Sequence, residues 1–322
     1  MLRYIAGRLL LAIPTLLAIS VLVFFAQYLS RANPVDILVG DKASPEVKAR
    51  VSHEWGLDRP PLVRYAEYMT GIVTRGDFGR SYQTREPVVQ RIARGFPNTA
   101  LLATLALGLA LLIGVPLGIT SAVYANRLLD RLVMGFVLLG VGVPSFVMGP
   151  ILVLYLAVRA KYLPVVGFSI GSRMDWSYFV LPALVLAARS VALIARLTRS
   201  AMLDVLGQDY IRTARAKGLS PATVLFKHAL KNAFPPILTV AGTTFGYLLS
   251  GSFVVETFFN IPGIGNDSVR SVLNRDYPVV QAMALLLALT FVVVNLTVDV
   301  LYGVFDPRAR AFGQTPRKAP SA

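Results

Sequence analysis

The sequence predicts an all-α polytopic membrane protein with six transmembrane helices, and three observations predict it. Apolar residues make up 55% of the 322-residue chain and charged ones 15%, against roughly a quarter charged in soluble domains; mean hydropathy is +0.61. Five stretches carry no Asp, Glu, Lys or Arg: Leu9–Ser30, Gly95–Asn126, Leu132–Val158, Asn232–Val255 and Tyr277–Val298, while a sixth, Trp176–Ala195, is interrupted only by Arg189. Each supplies the about 20 residues that cross roughly 30 Å of hydrocarbon, and none has the short alternating pattern of a barrel strand.

The first span, with its tip, occupies residues 1–30 and lacks a small-residue cleavage site, so an uncleaved anchor is expected. Residues 31–94 are too long for a plain connection. Ser44–Pro45–Glu46 has the N-cap, first-position proline and first-turn acid of a helix that Gly56 stops. Pro61 starts a second helix through Val73, ending near Gly76. Trp55, Tyr65, Tyr68, Phe78 and Tyr82 give this loop an apolar face, which suits either a folded cap or a docking surface for an external partner. A five-span core follows over 95–310, and 311–322 is a short polar tail expected to be disordered.

Within the core, Gly114-x-x-x-Gly118 and Gly242-x-x-x-Gly246 let helix backbones approach closely. Pro116, Pro144, Pro150 and Pro182 interrupt the backbone ladder and predict kinks. Bent, closely packed helices suit a gated pathway better than a rigid anchor. Arg189 and Asp299 intrude at a cost of roughly 2.5–3.5 kcal/mol each at mid-membrane, which favours snorkelling or mutual pairing over an ion site.

The segment 196–231, between the fourth and fifth spans, carries 7 basic and 2 acidic residues. Asp209 can cap a helix over Tyr210–Lys217, Gly218 ends it in the left-handed region, and Ser220–Pro221 restart a helix to about Lys231. Val224, Leu225 and Phe226 lie among Lys227, His228 and Lys231. The pattern fits an amphipathic pair on anionic lipid or a docking element for a cytoplasmic protein.

The charge of +15, from 32 Lys+Arg and 17 Asp+Glu, sits between apolar runs, so membrane lipid and not nucleic acid is the expected counter-charge. With cytoplasmic termini, the inside segments hold 15 Lys/Arg and the outside ones 16; setting aside the 64-residue first loop leaves 15 against 5. The positive-inside rule is counted over short loops, so both termini are expected inside. Zero cysteines exclude disulfides and thiolate chemistry, and two histidines leave little for metal or acid–base work. No phosphate-binding glycine loop occurs, and His53–Glu54 lacks the second histidine of a metalloprotease helix. The chain has the features of a passage without an engine. A self-sufficient secondary carrier would need mid-membrane ion ligands, for which Asp299 alone is thin support.

Asp209 through Ser220 (DYIRTARAKGLS) resembles the EAA loop of ABC importer permeases, and more narrowly the dipeptide/oligopeptide/nickel subfamily. Lys227 through Pro236, Glu256 through Gly265, Arg275 through Gln281, Asp306-Pro307-Arg308, Gly56 through Pro60 and Arg75 through Gly79 resemble the same subfamily. The likeness spans residues 1–310. Arg212 stands where a glutamate is usual, Thr213 replaces an alanine and His228 an isoleucine. The resemblance implies a type I permease fold with cytoplasmic termini in the cell membrane, and a subunit that is not an enzyme and binds no cofactor. It implies pairing with a second, homologous permease, two cytoplasmic ATPases that hold ATP and Mg, and an extracytoplasmic binding protein. It further implies that the coupling loop acts through Asp209, Arg212, Thr213, Ala214, Arg215, Lys217, Gly218, Ser220, Pro221, Leu225, Phe226 and His228, with apolar residues as anchors and basic ones at the rim. Peptides are the expected substrates, with nickel complexes, glutathione and oligosaccharides as alternatives within the family.

Overall fold

A computed structural model describes residues 2–29, 34–164 and 176–305. The expected tail 311–322 and the Asp306-Pro307-Arg308 motif lie outside the described residues. Helices follow one another as α1 (Leu2–Leu29), α2 (Pro34–Val39), α3 (Pro45–Glu54), α4 (Pro61–Arg75), α5 (Val88–Val123), α6 (Leu128–Gly142), α7 (Ser145–Leu152), the π-helical π1 (Val153–Arg159) and α8 (Ser177–Leu206). Then come α9 (Asp209–Ala216), π-helical π2 (Thr223–Leu230), α10 (Lys231–Gly251), α11 (Phe253–Phe258), α12 (Ile264–Leu273) and α13 (Tyr277–Phe305). Among the described residues the sole extended pairing is one antiparallel bridge, Arg80 with Pro87.

Among the described residues, four segments are long and apolar enough to cross a membrane singly: Leu10–Tyr28, Val88–Val123, Ser177–Leu206 and Tyr277–Leu301. The expected third span is not one rod. It is α6 followed by α7 and π1, bent by 104° at the break around Pro144, where proline removes a donor and biases the preceding residue to extended backbone. Val143 is extended there, at φ −93° and ψ 115°. Pro116, Pro150 and Pro182 instead sit inside α5, α7 and α8 without ending them. The expected fifth span is α10 with the short α11; Pro235, Pro236 and its threonines dilute it, and it is not among the segments that pass on apolarity.

Small residues set the helix contacts. A Cβ on Gly114 would lie 2.9 Å from the Val191 carbonyl oxygen, and one on Gly118 2.6 Å from Thr198 Cβ, so α5 and α8 touch backbone to backbone there. On α10, a Cβ at Gly246 would meet Phe291 Cδ2 at 2.9 Å, and one at Gly242 would overlap Val298, so side chains of α13 pack directly on the α10 backbone. Between these pairs lies an apolar core of Ala103, Ala106, Ala187, Leu248 and Leu249, with Val294 packed against it. Leu10, Leu11, Leu22, Leu132, Phe136 and Leu139 are exposed on the outside of the bundle, as expected where lipid or another apolar surface is the solvent.

The long loop is largely helical. Ser44 Oγ accepts from the Val47 amide, and Gly56 and Gly76 take φ +61° and +62° after α3 and α4. Its aromatic face packs on the first span: Phe24 meets Tyr65 edge-on at 5.2 Å, and Ser20 Oγ hydrogen-bonds Tyr65 Oη at 2.7 Å.

Candidate functional site: the surface at the α8–α10 connection

The connection forms two short helical pieces seated on one end of the bundle. Ile211 and Ala214 of α9, spaced for one helix face, are buried with Val224 and Ala229 of π2. They pack on Ile119 and Ala122 at the end of α5, Ala201 and Met202 at the end of α8, and Ala233 and Ile237 at the start of α10. One apolar cluster therefore joins the connection to three long helices. Gly218 turns the chain between the pieces at φ +75°, a conformation that costs an L-residue about 1–2 kcal/mol. Ser220 Oγ accepts from the Thr223 amide at 3.3 Å, the expected cap.

Two local expectations change. Gln208, extended at φ −77° and ψ 150°, takes the position before α9, and Asp209 is the first helical residue, so the carboxylate favours the helix start by charge without capping it. The second piece does not end at Lys231: π2 passes without a break into α10.

The opposite face is open. Arg212, Thr213, Arg215, Lys217, Gly218, Ser220, Pro221 and Lys227 are exposed, with Tyr210, Leu219 and Phe226 as exposed apolar groups among them. Phe226 is 59% exposed, whereas Leu225 packs partly against the inner cluster. Ala214 lies on the inner face and His228 is half-buried. Arg212 pairs with Asp209 at 3.5 Å, both largely solvated, so the pair adds little stability. Sequence reasoning placed Leu225 and Phe226 together as anchors; Tyr210 and Leu219 were missed, although their spacing from Ile211 and Ala214 puts them off the buried stripe.

Beside this surface sits an ion pair that sequence reasoning also missed. Asp130 on α6, with 5% of its side chain exposed, accepts from Arg199 Nε and Nη2 at 2.8 and 2.7 Å, from the Asn126 amide at 2.8 Å, and from Ser121 Oγ. It ties α5, α6 and α8 together where α9 rests. Arg189 is exposed on α8 and Asp299 half-buried on α13.

At the opposite end, Glu256 is fully buried and accepts from Thr99 Oγ1 at 2.7 Å, Ser252 Oγ at 2.6 Å and the Asn266 amide at 2.9 Å. Gly263 and Gly265 leave room for it, since a Cβ on Gly265 would come within 2.7 Å of Glu256 Oε2. Arg91 bridges Asp267 and Asp276, and Asp276 also accepts from the Tyr82 amide at 2.9 Å and from Ser81 Oγ. No group of three or more His, Cys, Asp or Glu residues suited to a metal occurs among the described residues.

A helical, multi-pass subunit with a basic, two-piece surface built on the ends of its long helices is the form of a transport permease. The chain belongs to the family of binding-protein-dependent transport system inner membrane components: that family's model matches residues 114–311 and its N-terminal companion residues 1–103. It is an ABC importer permease of the inner membrane, itself not an ATPase, in a family whose members work with ATPase and binding-protein partners. It is 44% identical over 310 residues to the glutathione transport system permease protein GsiC of Salmonella typhimurium, covering 96% of this chain and 99% of the relative. The Escherichia coli K12 protein of that name is 42% identical over the same length. In fold, the chain matches the inward-facing MetNI methionine ABC transporter with a TM-score of 0.59 at 20% identity, over 69% of this chain and 99% of that one.

Proposed function

We propose that this chain forms half of the translocation pathway for peptides and is driven through the α9–π2 surface by cytoplasmic ATPases. The carrying observation is the single apolar cluster that fastens α9 and π2 to α5, α8 and α10 while their other face stays open. A force applied to that face moves long helices instead of bending a loop. Exposed Phe226, with Tyr210 and Leu219, supplies apolar anchors, and Arg212, Arg215, Lys217 and Lys227 form a basic rim, an interface pattern of few anchors among polar groups. ATP and Mg belong to the ATPases, and this chain brings no cofactor of its own. A second, homologous permease completes the pathway, because six spans line only half of it. The six spans are α1, α5, α6 with α7–π1, α8, α10 with α11, and α13. Both termini lie in the cytoplasm, as the Lys/Arg balance of the short loops favours.

Substrate follows from the relatives. Glutathione is a tripeptide, so the names of the relatives favour small peptides of that kind over nickel complexes or oligosaccharides. Selection among them rests with the binding protein.

Substitution at Gly218 tests the lever. A Cβ there meets nothing within 4 Å, so a side chain fits in space and only the backbone suffers. Gly218→Val is expected to abolish uptake and the stimulation of ATPase by loaded binding protein while leaving membrane insertion intact. Gly218→Asn, a residue that tolerates φ > 0, retains most of both. Equal coupled transport in the valine variant discards the lever.

A further inference from the structure

At the end of the bundle that carries α3 and α4, a cavity of about 220 Å³ opens between α1, α4, the stretch 78–82 and the start of α13. Its walls include five aromatic rings, with Phe24 buried and Trp55 edge-on to Tyr82 at 5.6 Å. Two of its lining residues carry a buried polar atom with no partner: Gln27, whose side chain is 8% exposed, at Nε2, and Tyr68 at Oη. Such groups are costly to leave unmade, about 1–3 kcal/mol each. Burial raises the Tyr68 phenol and pushes Tyr82 up to about 12, so both rings stay neutral at physiological pH and Tyr68 is a donor.

The unmet groups therefore have one need in common. An amide N–H and a phenol O–H both seek an acceptor oxygen, and two arginines, Arg64 and Arg80, are among the residues that line the same space. Glu67, the one acid among the described lining residues, is already bound by Arg59. Arg64 donates to Tyr28 Oη at 2.8 Å with Nη1, which fixes its position beside the cavity.

We propose that this cavity is an oxyanion site, in which a phosphate oxygen accepts from Gln27 Nε2 and Tyr68 Oη, Arg64 and Arg80 supply counter-charge, and the rings hold the apolar part of the ligand. The phosphate comes either from a phospholipid headgroup, since α1 reaches the site from the membrane, or from a soluble phosphate in the adjoining water. Neither source depends on which way the chain crosses the membrane or on what it transports.

Trp55 and Trp176 are the chain's two tryptophans, so Trp176→Phe leaves Trp55 in the wall as sole reporter. The detergent-washed full chain carrying that change is titrated with sodium phosphate at constant ionic strength, and separately with dihexanoyl phosphatidylglycerol. A saturable change in Trp55 fluorescence is expected with at least one probe. Saturation by the lipid alone assigns the headgroup, and saturation by phosphate assigns the soluble anion. Gln27→Leu and Tyr68→Phe each weaken the effective probe about tenfold, the second by deleting a single oxygen atom and leaving the wall intact. Absence of saturation with both probes, or unchanged binding in Tyr68→Phe, overturns the site.

Discussion

Asp130 carries the largest single consequence at the residue scale. Its carboxylate is nearly buried, while Arg199 keeps 26% of its side chain exposed. Breaking a buried pair from one side costs about 3–5 kcal/mol because the other charge is left without compensation; the partial solvation of Arg199 lowers the expectation for Asp130→Ala to about 2–3 kcal/mol. Removing both charges, in Asp130→Ala with Arg199→Met, costs less than the sum of the single changes, by the coupling a double-mutant cycle reads. Thermal unfolding of the purified chain measures all four states. Additive losses would mean that the two groups do not act as a pair. The sequence carries no sign of this contact: Asp130 and Arg199 are 69 residues apart, and no local pattern of charge or spacing links them. The same holds for Arg91 with Asp267 and Asp276, separated by 176 and 185 residues. Gly218 was legible for the opposite reason, because a glycine between a helical run and a Ser–Pro start is a purely local signal.

At the scale of elements, the glycine pairs set how close the helices come, and their spacing of four on one helix face made them readable. What the spacing could not supply was the partner. Val298 occupies the space a Cβ at Gly242 would need, so Gly242→Ala forces α10 from α13 at a cost of about 1–3 kcal/mol. Val298→Ala in the same chain returns most of that loss, since it vacates the volume the new methyl needs. Recovery of Tm in the double variant checks the packing, and its failure would place the strain elsewhere. Other elements were readable only in part. Pro144 announced a disturbance in the third span, yet proline is found both in gentle kinks and in full breaks, and only packing against α8 and α11 decides for a 104° turn. The continuity of π2 with α10 was hidden because Lys231 marks where the apolar run Asn232–Val255 begins without ending a helix.

Across the whole molecule, the two polar networks hold opposite ends of one long helix. Arg91 lies near the start of α5 and Ser121 near its end, 30 residues or about 45 Å apart along the axis. At the first end, Arg91→Met leaves Asp276, 1% exposed, and Asp267 without their cation, and frees the stretch that Asp276 holds through Ser81 and the Tyr82 amide. Arg85 is exposed in that stretch, so trypsin is expected to cut after it at least tenfold faster in Arg91→Met than in the parent, with Arg91→Lys between them. Asp130→Ala, at the far end, leaves that rate unchanged if α5 is a passive rod. Sites so far apart with no shared partner add within about 0.3–0.5 kcal/mol, and the stability of the double variant Arg91→Met/Asp130→Ala checks this. A larger coupling energy, or faster cleavage at Arg85 on loss of Asp130 alone, would show that α5 carries strain from the surface under α9 to the loop-bearing end. The lever would then reach the full height of the bundle through this helix, with no need for movement of α10.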